Sequence, residues 1–171
     1  YWQDSGIVTG GEYGSSSGCK AYSLAPCAHH VVSDRPPCGD EVTPACVRSC
    51  DSASSRSYKE DLTFGQDPYY VDPAVSQIQK EILTNGPVEA AFSVYNDFLT
   101  YKSGVYQHIS GDLAGGHAVK ILGWGEEDDV PYWLVANSWN NDWGDEGYFK
   151  IIRGKDHCGI ESQITAGQPK L

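Results

Sequence analysis

Gly115-Gly116-His117-Ala118-Val119-Lys120-Ile121-Leu122-Gly123-Trp124 is followed, across an acidic turn from Glu126 to Asp129, by Pro131-Tyr132-Trp133-Leu134-Val135-Ala136-Asn137-Ser138-Trp139. His117 to Trp124 and Pro131 to Trp139 are rich in branched and aromatic residues and bounded by turn residues, which predicts two β-strands, with His117 at the start of the first and Asn137 near the end of the second. The short connection predicts that they form an antiparallel hairpin with the acidic turn at its tip. Counted outward from Glu127, His117 and Asn137 are equidistant. The simplest register therefore makes them cross-strand neighbours, with Cβ atoms about 4.5–5.5 Å apart. The Asn137 oxygen would then accept an imidazole N–H and fix the tautomer and orientation of the ring, as the third member of a catalytic triad does. A histidine near a strand end can equally be structural, and Asn-Ser-Trp can be turn chemistry. The pair needs a nucleophile before it means catalysis.

Working outward, Gly147 to Arg153 reads as a further strand, and Val88, Ala90, Phe92 and Val94 alternate as a strand does. Between residues 72 and 87 the pattern is helical. Asp72-Pro73 supplies a cap and a first-turn proline, Val75, Ile78, Ile82 and Leu83 follow at helical spacing, and Asn85-Gly86-Pro87 stops the helix. One helix followed by antiparallel strands predicts an α+β unit over residues 71–171, built as a small barrel or curled sheet. Residues 1–70 differ: they are rich in Gly, Ser, Pro and Cys and lack sustained periodicity. So long a stretch without regular structure predicts a functional or covalently tied excursion. No internal repeat is visible.

The 171 residues suffice for one ordinary domain with a hydrophobic core. Tyr1-Trp2, two large aromatics at the first positions, suggests a segment of something longer. No apolar run approaches the roughly 20 residues of a membrane helix, and no basic-then-apolar start reads as a signal peptide. The net charge of −11, from 12 basic and 23 acidic residues, argues against nucleic acid as a partner. It is compatible with work at low pH, where protonation relieves self-repulsion.

Five of the six cysteines, Cys19, Cys27, Cys38, Cys46 and Cys50, crowd into one loop-rich stretch, and Cys158 stands alone. The crowding predicts disulfides and an oxidising compartment. The rival is a metal site using Cys27, Cys38, His29 and His30, for which the ligand spacing is poor. Cys158, in His157-Cys158-Gly159-Ile160, is either an inert structural thiol or a nucleophile activated by its neighbour.

Gly115-Gly116-His117-Ala118, Ala136-Asn137-Ser138-Trp139 and Trp143-Gly144-Asp145-Glu146-Gly147-Tyr148-Phe149 together resemble the papain family of cysteine peptidases. Within it, Cys27-Ala28-His29-His30 and Arg35-Pro36-Pro37-Cys38 resemble the occluding loop of the cathepsin B branch, over residues 19 to 50 or so. The resemblance runs over essentially the whole chain. It implies a papain-like fold: mainly the antiparallel β-barrel-like right-hand domain, the disulfide-stapled occluding loop and part of the helical left-hand domain.

By the same resemblance His117 is the catalytic imidazole, Asn137 orients it, and Trp139 shields their hydrogen bond. The nucleophilic cysteine and an oxyanion-hole glutamine belong to a part of such enzymes N-terminal to this sequence, so this chain would act only with that portion or light chain. His29 and His30 would hold a substrate's C-terminal carboxylate and give dipeptide release beside endopeptidase activity. Arg35 would latch onto Asp142. The implied bridges are Cys27–Cys38 and Cys19–Cys50, with Cys46 pairing to the missing portion and Cys158 free. Ala91, Gly116, Ala118 and Gln163 would line a specificity pocket, and Val94 and Leu99 a leaving-group pocket. No cofactor or metal is implied. The implied partners are peptide and protein substrates and protein or peptide-like inhibitors, with no membrane and no nucleic acid, in a lysosomal, secreted or digestive setting. The alternatives are an inactive homologue that binds peptides without cleaving them, and a metal module on the Cys/His cluster. An intact His117 and Asn137 favour an enzyme.

Gln163 departs from the glutamate that this branch often carries at the base of the pocket. A neutral amide keeps hydrogen bonds but loses the attraction for a guanidinium. Peptide substrates with Arg entering that pocket are expected to be turned over at least about tenfold less efficiently than those with Phe. Equal turnover of Arg-Arg and Phe-Arg substrates would overturn this.

Overall fold

The computed structural model describes residues 1–170. Its regular elements are α1 (Trp2–Ser5), β1 (Gly10–Gly11), β2 (Lys20–Ala21), β3 (Gly65–Tyr70), α2 (Val75–Asn85), β4 (Val88–Tyr95), β5 (Val105–Tyr106), β6 (Leu113–Glu127), β7 (Val130–Ala136), β8 (Tyr148–Ile152) and β9 (Ile164–Pro169). Single 3₁₀ turns occupy Phe98–Thr100 and His157–Gly159. The chain forms two units, one of Tyr1–Cys27, Arg35–Pro68 and the end of the chain from Gly167, the other of Ala28–Asp34 and Tyr69–Ala166. Among the described residues no helix is long and apolar enough to cross a membrane.

Besides the neighbouring parts of β3 and β9, the first unit has the two-residue parallel pairing of β1 with β2 and an isolated bridge between Ile7 and Thr63. Covalent and ionic ties add to these pairings. Disulfides join Cys19 to Cys50 and Cys27 to Cys38, closing loops of 31 and 11 residues. Chain-entropy arguments make such closures worth about 4 and about 3 kcal/mol. Close backbone approach explains one glycine: a Cβ at Gly18, where φ is +77°, would lie 2.3 Å from the Gly10 carbonyl oxygen. The buried Asp61 carboxylate accepts the backbone N–H and hydroxyl of Thr9, both at 2.7 Å, and pairs with Arg56 at 2.7 Å.

The larger sheet has the order β3-β9-β4-β6-β7-β8-β5, and β4, β5, β6, β7 and β8 lie wholly in the second unit. Pairing is antiparallel for β4 with β6 and β9, for β6 with β7 and for β7 with β8, and parallel for β5 with β8. The alternation read in β4 appears directly, with Val88, Ala90, Phe92 and Val94 buried. They join Ile121, Trp133, Val135, Phe149 and Ile151 in a core whose centre is Phe98. Its ring lies 4.8 Å from Phe149, 5.1 Å from Trp143 and 5.2 Å from Phe92. Fully burying each such side chain stabilises by roughly 1.5–3 kcal/mol.

Three expectations shift. The helix begins at Val75 rather than at Pro73, because the Asp72 carboxylate turns back onto the Ala74 N–H at 2.8 Å and leaves Ala74 as a cap without a side-chain bond. Leu83, read as part of the apolar face, is 77% exposed. Ile78 is buried, and Val75 and Ile82 pack on the core, so the apolar stripe is narrower than the sequence suggested. Strand β6 starts at Leu113, which places His117 inside a strand, while β7 stops at Ala136 and leaves Asn137 to Trp139 beyond its end.

The hairpin forms, but its register differs from the simple count. Near the tip Glu127 faces Val130, and further along Gly123 faces Leu134. Then Ile121 faces Val135 and Lys120 faces Ala136, so Leu122 is an extra, unpaired residue. Extrapolated one step, Asn137 stands level with Val119, two residues from His117 and on the same face. Without the bulge Asn137 would stand level with Lys120, and His117 would point to the opposite face.

Asp61 is held below the ordinary carboxylate range, first by the Thr9 hydroxyl and N–H and then by Arg56. Its contribution to stability is therefore present above the unfolded pKa near 3.9 and is lost as pH falls below it. Thermal unfolding should show Asp61→Asn destabilised at neutral pH and by a smaller margin near pH 3. An equal loss at both pH values would assign the effect to packing.

Candidate active site

His117 Nε2 lies 2.8 Å from Asn137 Oδ1. The loop after β7 fixes Asn137 through its backbone N–H, which donates to Gly147 at 3.0 Å. Oδ1 also accepts the Ser138 N–H at 2.8 Å, which identifies the amide atom facing the ring as the oxygen. Nε2 must then carry hydrogen and donate, leaving Nδ1 as the nitrogen able to take or give a proton. Among the described residues Asn137 Nδ2 is buried without a hydrogen-bond partner.

Trp139 stacks on the His117 ring at 5.0 Å and 19°. Edge-on at 5.0 Å it meets Trp143, which is fully buried and donates its indole N–H to the Leu99 carbonyl at 2.9 Å. The His117–Asn137 bond thus rests against an aromatic wall, where low polarity strengthens a charge-assisted hydrogen bond.

A cleft of about 430 Å³ borders His117. It exists because the non-core face of β4 and β6 carries almost no side chain there: Ala91 pairs with Ala118, and Ser93 with Gly116. Ala91, Gly116, Ala118 and Gln163 all line it, together with Cys158. Gln163 is tied in by its carbonyl, which accepts the Ala91 N–H at 3.2 Å. Val94 lies on the other face of β4, in the core, and Leu99 packs against that core.

His29 and His30 approach the same tryptophan. Their rings lie 6.3 Å and 5.2 Å from Trp139, the first stacked and the second edge-on. His30 takes a left-handed conformation, with φ at +59°. Burial first and then the neighbouring His30 hold the His29 imidazole below its usual 6.5, against the pull of Asp142. Asp142 accepts the Ser33 hydroxyl, and Arg35 belongs to the first unit.

Cys46 is an exposed free thiol. Cys158 sits in the cleft wall, and burial, then Asp97, push its thiol up to about 11. The flanking His157 is engaged elsewhere, its Nε2 accepting the His108 N–H at 2.7 Å. Behind this contact is a polar cluster that no sequence motif announces. Asp97 accepts the Tyr106 hydroxyl at 2.7 Å, the Ile109 and Ser110 N–H groups at 2.8 and 3.1 Å, and faces His108 Nδ1 at 3.1 Å. Burial alone would raise its pKa, but these donors together hold the carboxyl well below the usual range. Its members are spread over 61 residues from Asp97 to His157 and match no local motif.

A sheet-rich α+β fold, an Asn-oriented histidine and a stapled loop that brings two more histidines to the same tryptophan match one known class. The model of the papain family of cysteine proteases matches residues 1–168, and the chain belongs to that family. Within it the chain is similar to cathepsin B-like members. It is 51% identical over its full length to cathepsin B-like cysteine proteinase 6 of Caenorhabditis elegans and 52% identical to a gut-specific cysteine proteinase of the same organism, covering 46% and 50% of those proteins. Among solved structures, procathepsin B S9 of Trypanosoma congolense superposes with a TM-score of 0.76 at 34% identity, over 99% of this chain and 51% of that one. The chain therefore spans about half the length of the curated relatives it matches.

A thiol at about 11 is almost wholly protonated at pH 8. Mapped by peptide mass, Cys158 of the folded protein should react with iodoacetamide at least about 100-fold more slowly than a cysteine in a short peptide. Comparable rates would show an activated thiol.

Proposed function

We propose that His117 and Asn137 serve peptide-bond hydrolysis with a thiolate contributed by a part of the protein outside this sequence. The observation that carries this reading is the 2.8 Å His117–Asn137 bond, which leaves Nδ1 free against an aromatic wall. In the reaction the thiolate attacks the scissile carbonyl, and the His117 imidazolium gives its proton to the leaving amine. The resulting imidazole then takes a proton from water, whose oxygen displaces the thiolate from the acyl group. Trp139 keeps solvent from the orienting bond.

His29 and His30 serve the second activity, holding a substrate's C-terminal carboxylate so that dipeptides are released. Arg35 and Asp142 latch this segment, and Cys46 tethers the partner portion of the enzyme. The cleft lined by Ala91, Gly116, Ala118 and Gln163 takes a substrate side chain, and Val94 and Leu99 flank the leaving-group side. Peptides, proteins and peptide-like inhibitors are the partners. Two disulfides and the gut-specific relative support a lysosomal or secreted digestive setting.

Two outcomes test this in the complete enzyme. Asn137→Ala should lower kcat/KM by about 10–100-fold with the fold retained, the rate equivalent of a hydrogen bond to a charged group. Unchanged turnover would remove Asn137 from the machinery. Carboxylate binding needs the protonated His29, whose pKa is lowered, so this binding fades as pH rises and fades early. The ratio of dipeptide release to internal cleavage should fall between about pH 5 and about pH 7, with its midpoint below 6.5. A ratio that stays flat to pH 7 would exclude a histidine-based carboxylate site.

A further inference from the structure

Two acidic side chains are buried among the described residues, Asp61 and Glu161. Arg56 and Thr9 account for the first. Glu161, 5% exposed, has no basic side chain within ion-pair distance among the described residues. Three N–H donors hold it instead. Oε1 accepts the Trp133 indole N–H at 2.8 Å and the Gly154 N–H at 2.5 Å, and Oε2 accepts the Asp156 N–H at 2.7 Å. Asp156 returns the contact: its Oδ1 accepts the Glu161 N–H at 3.0 Å, and its other oxygen accepts the Ser162 hydroxyl. An apolar residue would fill such a site at less desolvation cost, so a carboxylate here is suited to fixing geometry.

The geometry it fixes is that of the cleft wall. Between Gly154 and Gln163 the chain passes through left-handed conformations at Asp156 and Cys158, with φ of 45° and 56°. Such conformations persist only where their surroundings hold them. The same stretch delivers Cys158, Ser162 and Gln163 into the cleft beside His117. Its far side is pinned where His157 accepts the His108 N–H. We infer that Glu161 is a positioning residue for side-chain selectivity: by gathering the Trp133, Gly154 and Asp156 N–H groups it sets where Cys158, Ser162 and Gln163 meet a substrate side chain. This rests on the reading that the cleft takes such a side chain.

The test uses the complete enzyme and two peptide substrates that differ only at the residue entering the cleft, Phe in one and Gly in the other. Active sites are counted with a thiol-directed covalent inhibitor. Glu161→Gln keeps the size but turns an acceptor oxygen into a donor facing N–H groups. The Phe/Gly ratio of kcat/KM should fall at least about fivefold, while kcat for the Gly substrate per counted site changes less than about twofold. Asp156→Gly suits the left-handed backbone and removes the bonds to the Glu161 N–H and the Ser162 hydroxyl. It should move the ratio the same way by about threefold and serves where Glu161→Gln does not fold. An unchanged ratio in folded protein overturns the inference. Gln163→Glu separates the two levels, since it should raise the turnover of Arg relative to Phe. If that variant changes nothing, the cleft is not the side-chain pocket and both readings fall. If it responds while Glu161→Gln and Asp156→Gly leave the Phe/Gly ratio unmoved, only the role of Glu161 falls.

Discussion

In β6, Leu122 lies between the pairing of Gly123 with Leu134 and that of Ile121 with Val135, and it is opposite neither partner strand residue. Side chains alternate along a strand, so one unpaired residue exchanges the two faces of everything beyond it. The exchange sets His117 on the face of Val119 and Ile121, opposite Phe92 of β4 and two residues from the level of Asn137. A diagonal separation of that kind is within reach of an imidazole and a carboxamide. The 2.8 Å contact, the ring stacked on Trp139 and the free Nδ1 all follow from this register.

The same strands serve two purposes by their two faces. On one, Val88, Ala90, Phe92 and Val94 build the core that supports Trp143 and, through it, Trp139. On the other, Ala91 and Ser93 oppose Ala118 and Gly116, and the lack of side-chain volume opens a cleft next to the histidine. A rigid interior and a hollow surface are therefore one design, and a bulky residue at any of the four small positions would fill the hollow without touching the core.

Polar groups rather than apolar area hold the irregular segments. Asp61 gathers Thr9 and Arg56 in the first unit, and Asp97 gathers Tyr106, His108 and two backbone N–H groups in the second. Two disulfides constrain the unfolded chain in the loop-rich first unit. The two carboxylates also accept backbone N–H groups that would otherwise be unsatisfied in loops.

Period-2 alternation was enough to read β4, and apolar content with turn residues enough to read the hairpin, because both are local signals. The α+β class was likewise legible from the order of elements. His117, Asn137 and Trp139 were singled out by their motifs and the family resemblance, whereas the count that opposed His117 directly to Asn137 missed the register by two residues. Helix α2 was legible in kind, but its first residue and its exposed Leu83 were not, since an Asp72 turn and the direction of packing decide them. Only the tertiary structure decided the bulge at Leu122, the cluster around Asp97 and the burial of Glu161. The reason is physical: periodicity and turn chemistry act over a few residues, whereas a register shift or a buried carboxylate depends on partners tens of residues away.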